Sequence, residues 1–440
     1  MRYGVEHVSD LAQPSLHVGS IKKHAINKKH LLIITTLDTK GREAAFIQDV
    51  TIKLGVHPIL MDIGSFSTSQ IEPDVTNKDL AGAVNVDLDD AAGTWDKRRI
   101  SYAIREGGAI IANRLFAEGK LHAVLAIGGG SGTGMGTYIM RSLPFGLPKV
   151  MLSTVASRDV REYVQTKDIV MFHSVGDLIG LNDFMRHLLA QAAHAVCGMM
   201  NREQPEKSIP MIGVTACGPT SPCVLQLEEP LKQRGYEMMA FHAVGTGGMA
   251  LEELIGEGRI EGVLDITTRE LVDEFYGGFS KGAGPDRLET AGIMGVPLVF
   301  APGGLDFSGW DSSCPAPKEI LSRPTVQYDY RYLIRTDAED MRKVALIIGE
   351  KLNKAPDLNY VLIPNKGFSE YSKTGGPLYD HEVDQLFINV LKGVLNPTIP
   401  FEEIDVDIND PIFVERSVEV LGMLMRKKAD NSRLAQVVNA

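Results

Sequence analysis

Between residues 125 and 138 the chain reads LAIGGGSGTGMGTY, with six glycines in nine positions lying between an apolar run and a helical pattern. Bare backbone at the start of a helix lets N–H groups crowd an anion, and the positive end of the helix favours negative charge there. The chemistry these residues point to is phosphate binding by Gly128, Gly129, Gly130, Ser131, Gly132 and Thr133. Neither standard motif fits. A P-loop needs lysine and a hydroxyl after its last glycine, and no glycine of this stretch is followed by lysine. The dinucleotide fingerprint, counted from Gly128, meets Thr133 where its third glycine belongs. A tight strand-to-helix turn without a ligand would use the same residues.

A second strand end carries complementary groups. In TTLDTKGRE (residues 35 to 43), Thr39 is placed to cap a helix, Lys40 to meet a phosphate, and Asp38 to hold Mg²⁺ or a ribose hydroxyl. Plain helix capping is the alternative. In an open parallel sheet ligands sit beyond the carboxyl ends of the strands, so both segments are expected on one rim.

The second half of the chain repeats the theme more weakly. Thr246, Gly247 and Gly248 open a helix after a strand and suit a carboxylate or phosphate. Asp265, Thr267, Thr268, Asp286, Arg287 and Asp306 follow further strands and suggest a polar pocket for an anionic or hydroxylated small molecule. Lys366 and Ser369 follow another strand, ahead of Gly375 and Gly376, which would let a lid fold over a cleft. Capping and surface pairing would account for the same residues. GFSKG (278 to 282) matches a nucleophile elbow, but a helical run precedes it instead of a strand, which counts against Ser280. His173, His242 and His381 show no paired metal-ligand spacing, so no metal site is expected.

Apolar runs alternating with helical patterns position these groups. Strands are expected over 30–37, 57–64, 122–129 and 148–155, with helices over 41–55, 103–120 and 136–143 and a long apolar helix over 177–203. After a polar break the same grammar resumes with five candidate strands, at 209–216, 238–244, 260–266, 295–304 and 358–367, and a closing helix from 411 to about 427. The fold class is α/β: two Rossmann-like domains, each a mostly parallel sheet with helices on both faces. The expected boundaries are an arm over 1–28, a nucleotide-binding domain over 29–204, and a second domain with a small-molecule pocket over 205–440.

Composition limits the function. A net charge of −11 argues against nucleic-acid binding, which needs a basic face. No run is apolar enough to span a bilayer and the amino terminus lacks a signal-peptide block, so a cytoplasmic protein with no membrane association is expected. The four cysteines form no CxxC pair and are expected as reduced thiols.

LDTKGRE, IGGGSGTGMG, SLPFGLPKVMLSTVAS, DITTREL and GPLYD, in that order, resemble the ATP-binding-domain family typified by the tomato mosaic virus resistance protein. The resemblance covers nearly the whole chain after residue 30 or so. It implies a two-domain α/β protein that binds ATP in its amino-terminal domain and forms a homodimer. Carried onto this chain, it assigns nucleotide binding to Gly128–Thr133 and to Asp38–Lys40. The resulting expectation is an ATP-binding protein, with Mg²⁺, that acts on a small anionic metabolite in a cleft between the domains. Two alternatives stand beside it: a non-catalytic, nucleotide-stabilised binding module, and an NAD(P)-dependent oxidoreductase, because AIGGGS also resembles the pyrophosphate loop of iron-dependent alcohol dehydrogenases.

Overall fold

The structure, a computed structural model, describes residues 29–65, 69–88, 97–201 and 209–438. The expected arm over 1–28 lies outside the described residues. The chain divides after residue 204 into two compact units.

The first unit is built on five parallel strands, β1 (His30–Thr35), β2 (His57–Asp62), β3 (Ala123–Gly128), β4 (Lys149–Ser153) and β5 (Ile169–His173), in the order β2-β1-β3-β4-β5. The apolar runs are continuous because both faces are covered. Leu31 and Ile33 point into a core shared with helices Leu37–Lys53 and Asp183–Met200. Leu32 and Ile34 point the opposite way, toward helices Lys97–Ala117 and Gly130–Arg141. The strand order reverses between β1 and β3, and the helices that follow these two neighbours leave on opposite faces. That reversal is where doubly wound sheets open a crevice beyond the carboxyl ends of their strands.

The second unit repeats this plan. Six parallel strands, β6 (Met211–Ala216), β7 (Glu237–His242), β8 (Gly262–Thr267), β9 (Leu298–Gly303), β13 (Asn359–Pro364) and β14 (Phe401–Ile404), run in the order β14-β13-β9-β8-β6-β7, with the reversal between β6 and β8. Helices Ser221–Gln233 and Pro411–Val438 cover one face through Leu227, Leu231, Phe413 and Leu421. A three-stranded antiparallel sheet is inserted after β9, with β10 (Phe307–Trp310) and β11 (Thr325–Gln327) on either side of β12 (Tyr332–Arg335).

The expected α/β class with two Rossmann-like domains is therefore what the chain forms. The small sheet and the edge strands β5 and β14 were not anticipated. β5 is only half-buried, and the others are three or four residues long, too short to show a period.

The glycine stretch also differs from expectation. Its helix starts at Gly130 and not near residue 136, so only Gly128, which ends β3, and Gly129, the N-cap, precede it. None of these glycines has a positive φ. Packing demands two of them: a Cβ on Gly128 would lie 2.8 Å from the Gly132 backbone, and one on Gly136 would lie 2.9 Å from Ala126 Cβ. Gly130 and Gly134 have nothing within 4 Å of such an atom. A glycine inside a helix costs about 0.5–1 kcal/mol relative to alanine, so Gly134 weakens the helix with no close packing among the described residues that requires it.

Denaturant titration separates the two kinds of glycine. Gly128→Ala is expected to lose about 1–3 kcal/mol through overpacking. Gly134→Ala is expected to gain up to about 1 kcal/mol. Equal effects of the two substitutions would contradict the packing described here.

Candidate functional site

β1 and β3 are hydrogen-bonded neighbours, paired from Leu31 with Ala123 through Ile34 with Ala126. Asp38–Lys40 and Gly128–Thr133 therefore follow adjacent strands at the same edge of the sheet, as anticipated. The edge is cross-tied. Thr35 donates its hydroxyl to the Ile127 carbonyl at 3.0 Å, the Thr154 N–H reaches the Gly128 carbonyl at 3.2 Å, and the buried Thr133 and Ser153 hydroxyls share a hydrogen bond of 2.7 Å. Thr133 is thus committed to the wall, whereas Gly130 and Ser131 are exposed.

The first N–H groups of any helix lack an intrahelical partner. At Gly130–Arg141 no side chain among the described residues supplies one: the N-cap is Gly129, and the first intrahelical bond runs from the Thr133 N–H to the Gly129 carbonyl at 2.8 Å. Gly130 and Ser131 lie exposed at the rim and Gly132 is buried behind them, with the positive end of the helix at their backs.

The neighbouring helix starts earlier than expected. Leu37–Lys53 has Thr36 as its N-cap, so Thr39 lies inside the first turn and does not cap it; its hydroxyl instead meets that of Thr36 at 2.7 Å. Capping comes from β2, where Asp62 Oδ1 accepts the N–H of Leu37 at 3.0 Å and that of Gly64 at 2.8 Å, while Ser69 donates to Oδ2. Asp38 Oδ1 is buried with no hydrogen-bond partner among the described residues. It faces Gly64, at which a Cβ would lie 3.3 Å away. Half-buried Lys40 breaks regular helix geometry (φ −127°, ψ 24°) and has no carboxylate partner among the described residues. A buried carboxylate oxygen with an open lone pair suits a cation that brings its other ligands with it, as Mg²⁺ does when carried by phosphates and water.

The second unit requires several corrections. Arg287 is fully buried and saturated by its own chain: Asp265 receives two bonds at 2.5 and 2.7 Å, Glu270 one at 2.8 Å, Glu252 one at 3.4 Å and the Thr267 carbonyl one at 3.3 Å. It has no donor left for a ligand. The helix start at Thr246, Gly247 and Gly248 is occupied as well, because Glu270 Oε1 accepts the N–H groups of Gly245 at 2.9 Å and Gly248 at 3.1 Å. That carboxylate is the anion the glycines were expected to bind.

Thr267 shares a 2.7 Å hydrogen bond with Thr220, Asp286 is exposed, and Lys366 pairs with Asp405 at 2.6 Å on the surface. Asp306 and Ser369 do come together, with the hydroxyl on Oδ2 at 2.5 Å and burial raising the carboxyl above its ordinary value. Asp306 Oδ1 and the Thr268 hydroxyl are buried without partners among the described residues. The Ser280 hydroxyl is buried too and meets no base among the described residues, so it is not an activated nucleophile. All four cysteines are free, and burial pushes the thiols of Cys217 and Cys223 up, the latter to about 12, which removes them as thiolate nucleophiles. Glu252 and Glu270, which decide the fate of Arg287, were not singled out from the sequence. Their helical surroundings read as ordinary, and nothing local shows that they turn inward.

The architecture thus defines a class: a two-domain, doubly wound α/β protein with an uncapped, glycine-lined helix start at the first reversal of strand order. The chain belongs to the Uncharacterised protein family (UPF0261), whose N-terminal domain matches residues 29–205 and whose C-terminal domain matches residues 209–425. A UPF0261 protein of Clostridium tetani is 38% identical over 406 residues, covering 91% of this chain and all of the relative. The ToMV resistance protein Tm-1(GCR237) of Solanum lycopersicum is 36% identical over 312 residues, which span 69% of this chain and 41% of the tomato protein. Among solved structures, a UDP-N-acetylglucosamine 2-epimerase aligns over 62% of this chain and 79% of its own at 10% identity, but with a TM-score of 0.23 the likeness carries no argument. No helix among the described residues is long and apolar enough to cross a membrane.

The Arg287 cluster gives a direct stability prediction. Arg287→Met leaves buried carboxylates unpaired and is expected to cost about 3–5 kcal/mol, read from the denaturation midpoint. A loss below about 1 kcal/mol, the range of surface ion pairs, would contradict the burial and pairing described.

Proposed function

We propose that the first domain binds the phosphates of ATP at the β1/β3 rim, on the N–H groups of Gly130, Ser131 and Gly132. The observation that carries this reading is the pairing of an uncapped helix start with glycines that neither backbone conformation nor internal packing requires. An approaching phosphate would require them, because any side chain at Gly130 would stand where the anion sits. Lys40 supplies a cation beside the phosphates, and Asp38 Oδ1 supplies the protein ligand of Mg²⁺. The metal would add charge neutralisation at the phosphates. Phosphoryl and adenylyl transfer depend mainly on positioning and charge neutralisation, so these groups suit such a transfer to a small anionic metabolite. The family resemblance points to the same nucleotide.

Calorimetry of the full chain with Mg·ATP tests the reading, with NADH titrated in parallel. Saturable heat with ATP and none with NADH is expected. At a hundredfold excess over Kd, ATP should raise stability by about 2.7 kcal/mol. Gly130→Val should weaken ATP by about tenfold or more while leaving nucleotide-free stability within about 0.5 kcal/mol, since the added atoms meet open space. ATP heat unchanged by Gly130→Val would overturn the assignment. Stabilisation by ATP without turnover of any anionic metabolite would favour a binding module over a transferase.

A further inference from the structure

The second unit has its own reversal of strand order, and a different set of residues gathers there. A cavity of about 120 Å³ lies beyond the ends of β6, β7 and β8, lined by Gly218, Ser221, His242 and Arg269 from the strand ends and by Tyr328 and Arg331 from the turn between β11 and β12. We propose that this cavity is an oxyanion site, receiving a carboxylate or phosphate group of a small metabolite between Arg269 and Arg331.

Four observations carry the proposal. Among the described residues no carboxylate lines the cavity, whereas two guanidinium groups do. Arg269 is 5% exposed, and its Nε is buried with no hydrogen-bond partner among the described residues. A buried guanidinium N–H without an acceptor is costly, and an anion in the cavity would remove that cost.

Arg269 is also held in place. Asp273 accepts from its Nη2 at 3.2 Å while taking the N–H groups of Ser280 at 2.8 Å and Gly309 at 2.9 Å, and the guanidinium stacks 5.0 Å from the Phe307 ring centre. Arg331 is fixed by Asp329 through Nε at 3.0 Å and Nη2 at 2.7 Å, and it stacks on Tyr328 at 5.1 Å; Nη1 has no partner among the described residues.

Finally, the backbone makes room for these side chains. A Cβ on Gly309 would lie 2.1 Å from Arg269 Nη2, and one on Gly218 would lie 1.9 Å from the Tyr328 hydroxyl. Two pre-positioned guanidinium groups in a half-enclosed space fit a planar carboxylate or a phosphate. The volume admits the charged group and little more, roughly that of four water molecules. The remainder of the metabolite would extend past His242, which is exposed.

The test is calorimetry of the full chain with inorganic phosphate and, separately, with succinate, and NMR of arginine side-chain Nε–H signals assigned with Arg269→Lys. At least one probe is expected to bind and to shift the Arg269 signal. Arg331→Gln should raise its Kd by about tenfold or more, the loss of one charge-assisted contact. Gly130→Val should leave it unchanged, which separates this site from the nucleotide rim. Preference for phosphate would indicate a phosphorylated metabolite, and preference for succinate a carboxylic acid; either supports the site. Because Arg269→Gln strands buried Asp273 and risks misfolding, the surface variant Arg331→Gln decides. Failure of both probes to bind at tens of millimolar, or binding that Arg331→Gln does not weaken, would overturn the proposal.

Discussion

Every helix that follows a parallel strand presents unpaired N–H groups at the edge of the sheet, and what satisfies them determines whether that helix start stays open to an anion. At the reversal between β1 and β3, two such helices leave on opposite faces, so neither covers the opening of the other. Gly130–Arg141 begins there with no side-chain cap. In the second domain the start of Thr246–Gly256 is closed by the Glu270 carboxylate, an anion from its own chain. The two domains share a strand order and differ in whether a helix start is internally neutralised.

That neutralisation is part of a larger arrangement. Glu270, Asp265 and Glu252 converge on Arg287, which is held charged, against the penalty of its own burial, by Asp265 and Glu270. A buried ion cluster is weak evidence for added stability, since desolvation offsets much of the attraction. Its clearer consequence is geometric: it locks the ends of β8 and the Thr246–Gly256 helix together and withdraws Arg287, one of the residues expected around the second pocket, from solvent. The cationic groups that line the second cavity are then Arg269 and Arg331, arranged around the second domain's own strand reversal.

The fold was legible because strands buried on both faces leave continuous apolar runs, as in HLLIIT and AVLAIG, separated by helical periods. The edge strands and the inserted sheet left no such trace. The proposed phosphate rim was legible in part: the glycines and Asp38 fall on one edge, but the helix at Gly130 begins earlier than its apolar period shows, and the Asp62 cap reaches across strands without a local trace. Of the residues expected around a second pocket, Asp265 and Arg287 pair with each other, because sequence shows that both are polar without showing that they neutralise each other. Arg269 stands inside DITTRE as one residue of a helix-capping pattern, and only the return of the chain at Gly309 and Arg331 brings it to the wall of a cavity.

Phosphate binding by bare amide hydrogens at the first reversal is the proposal on which the rest turns. It is tested most directly by following backbone amide resonances of the isotopically labelled protein during titration with Mg·ATP and with adenosine. The signals of Gly130, Ser131 and Gly132 are expected to move with the nucleotide, to saturate, and to stay in place with adenosine, which has no phosphate. Signals that remain still while ATP binds elsewhere, or that move equally with adenosine, would contradict it.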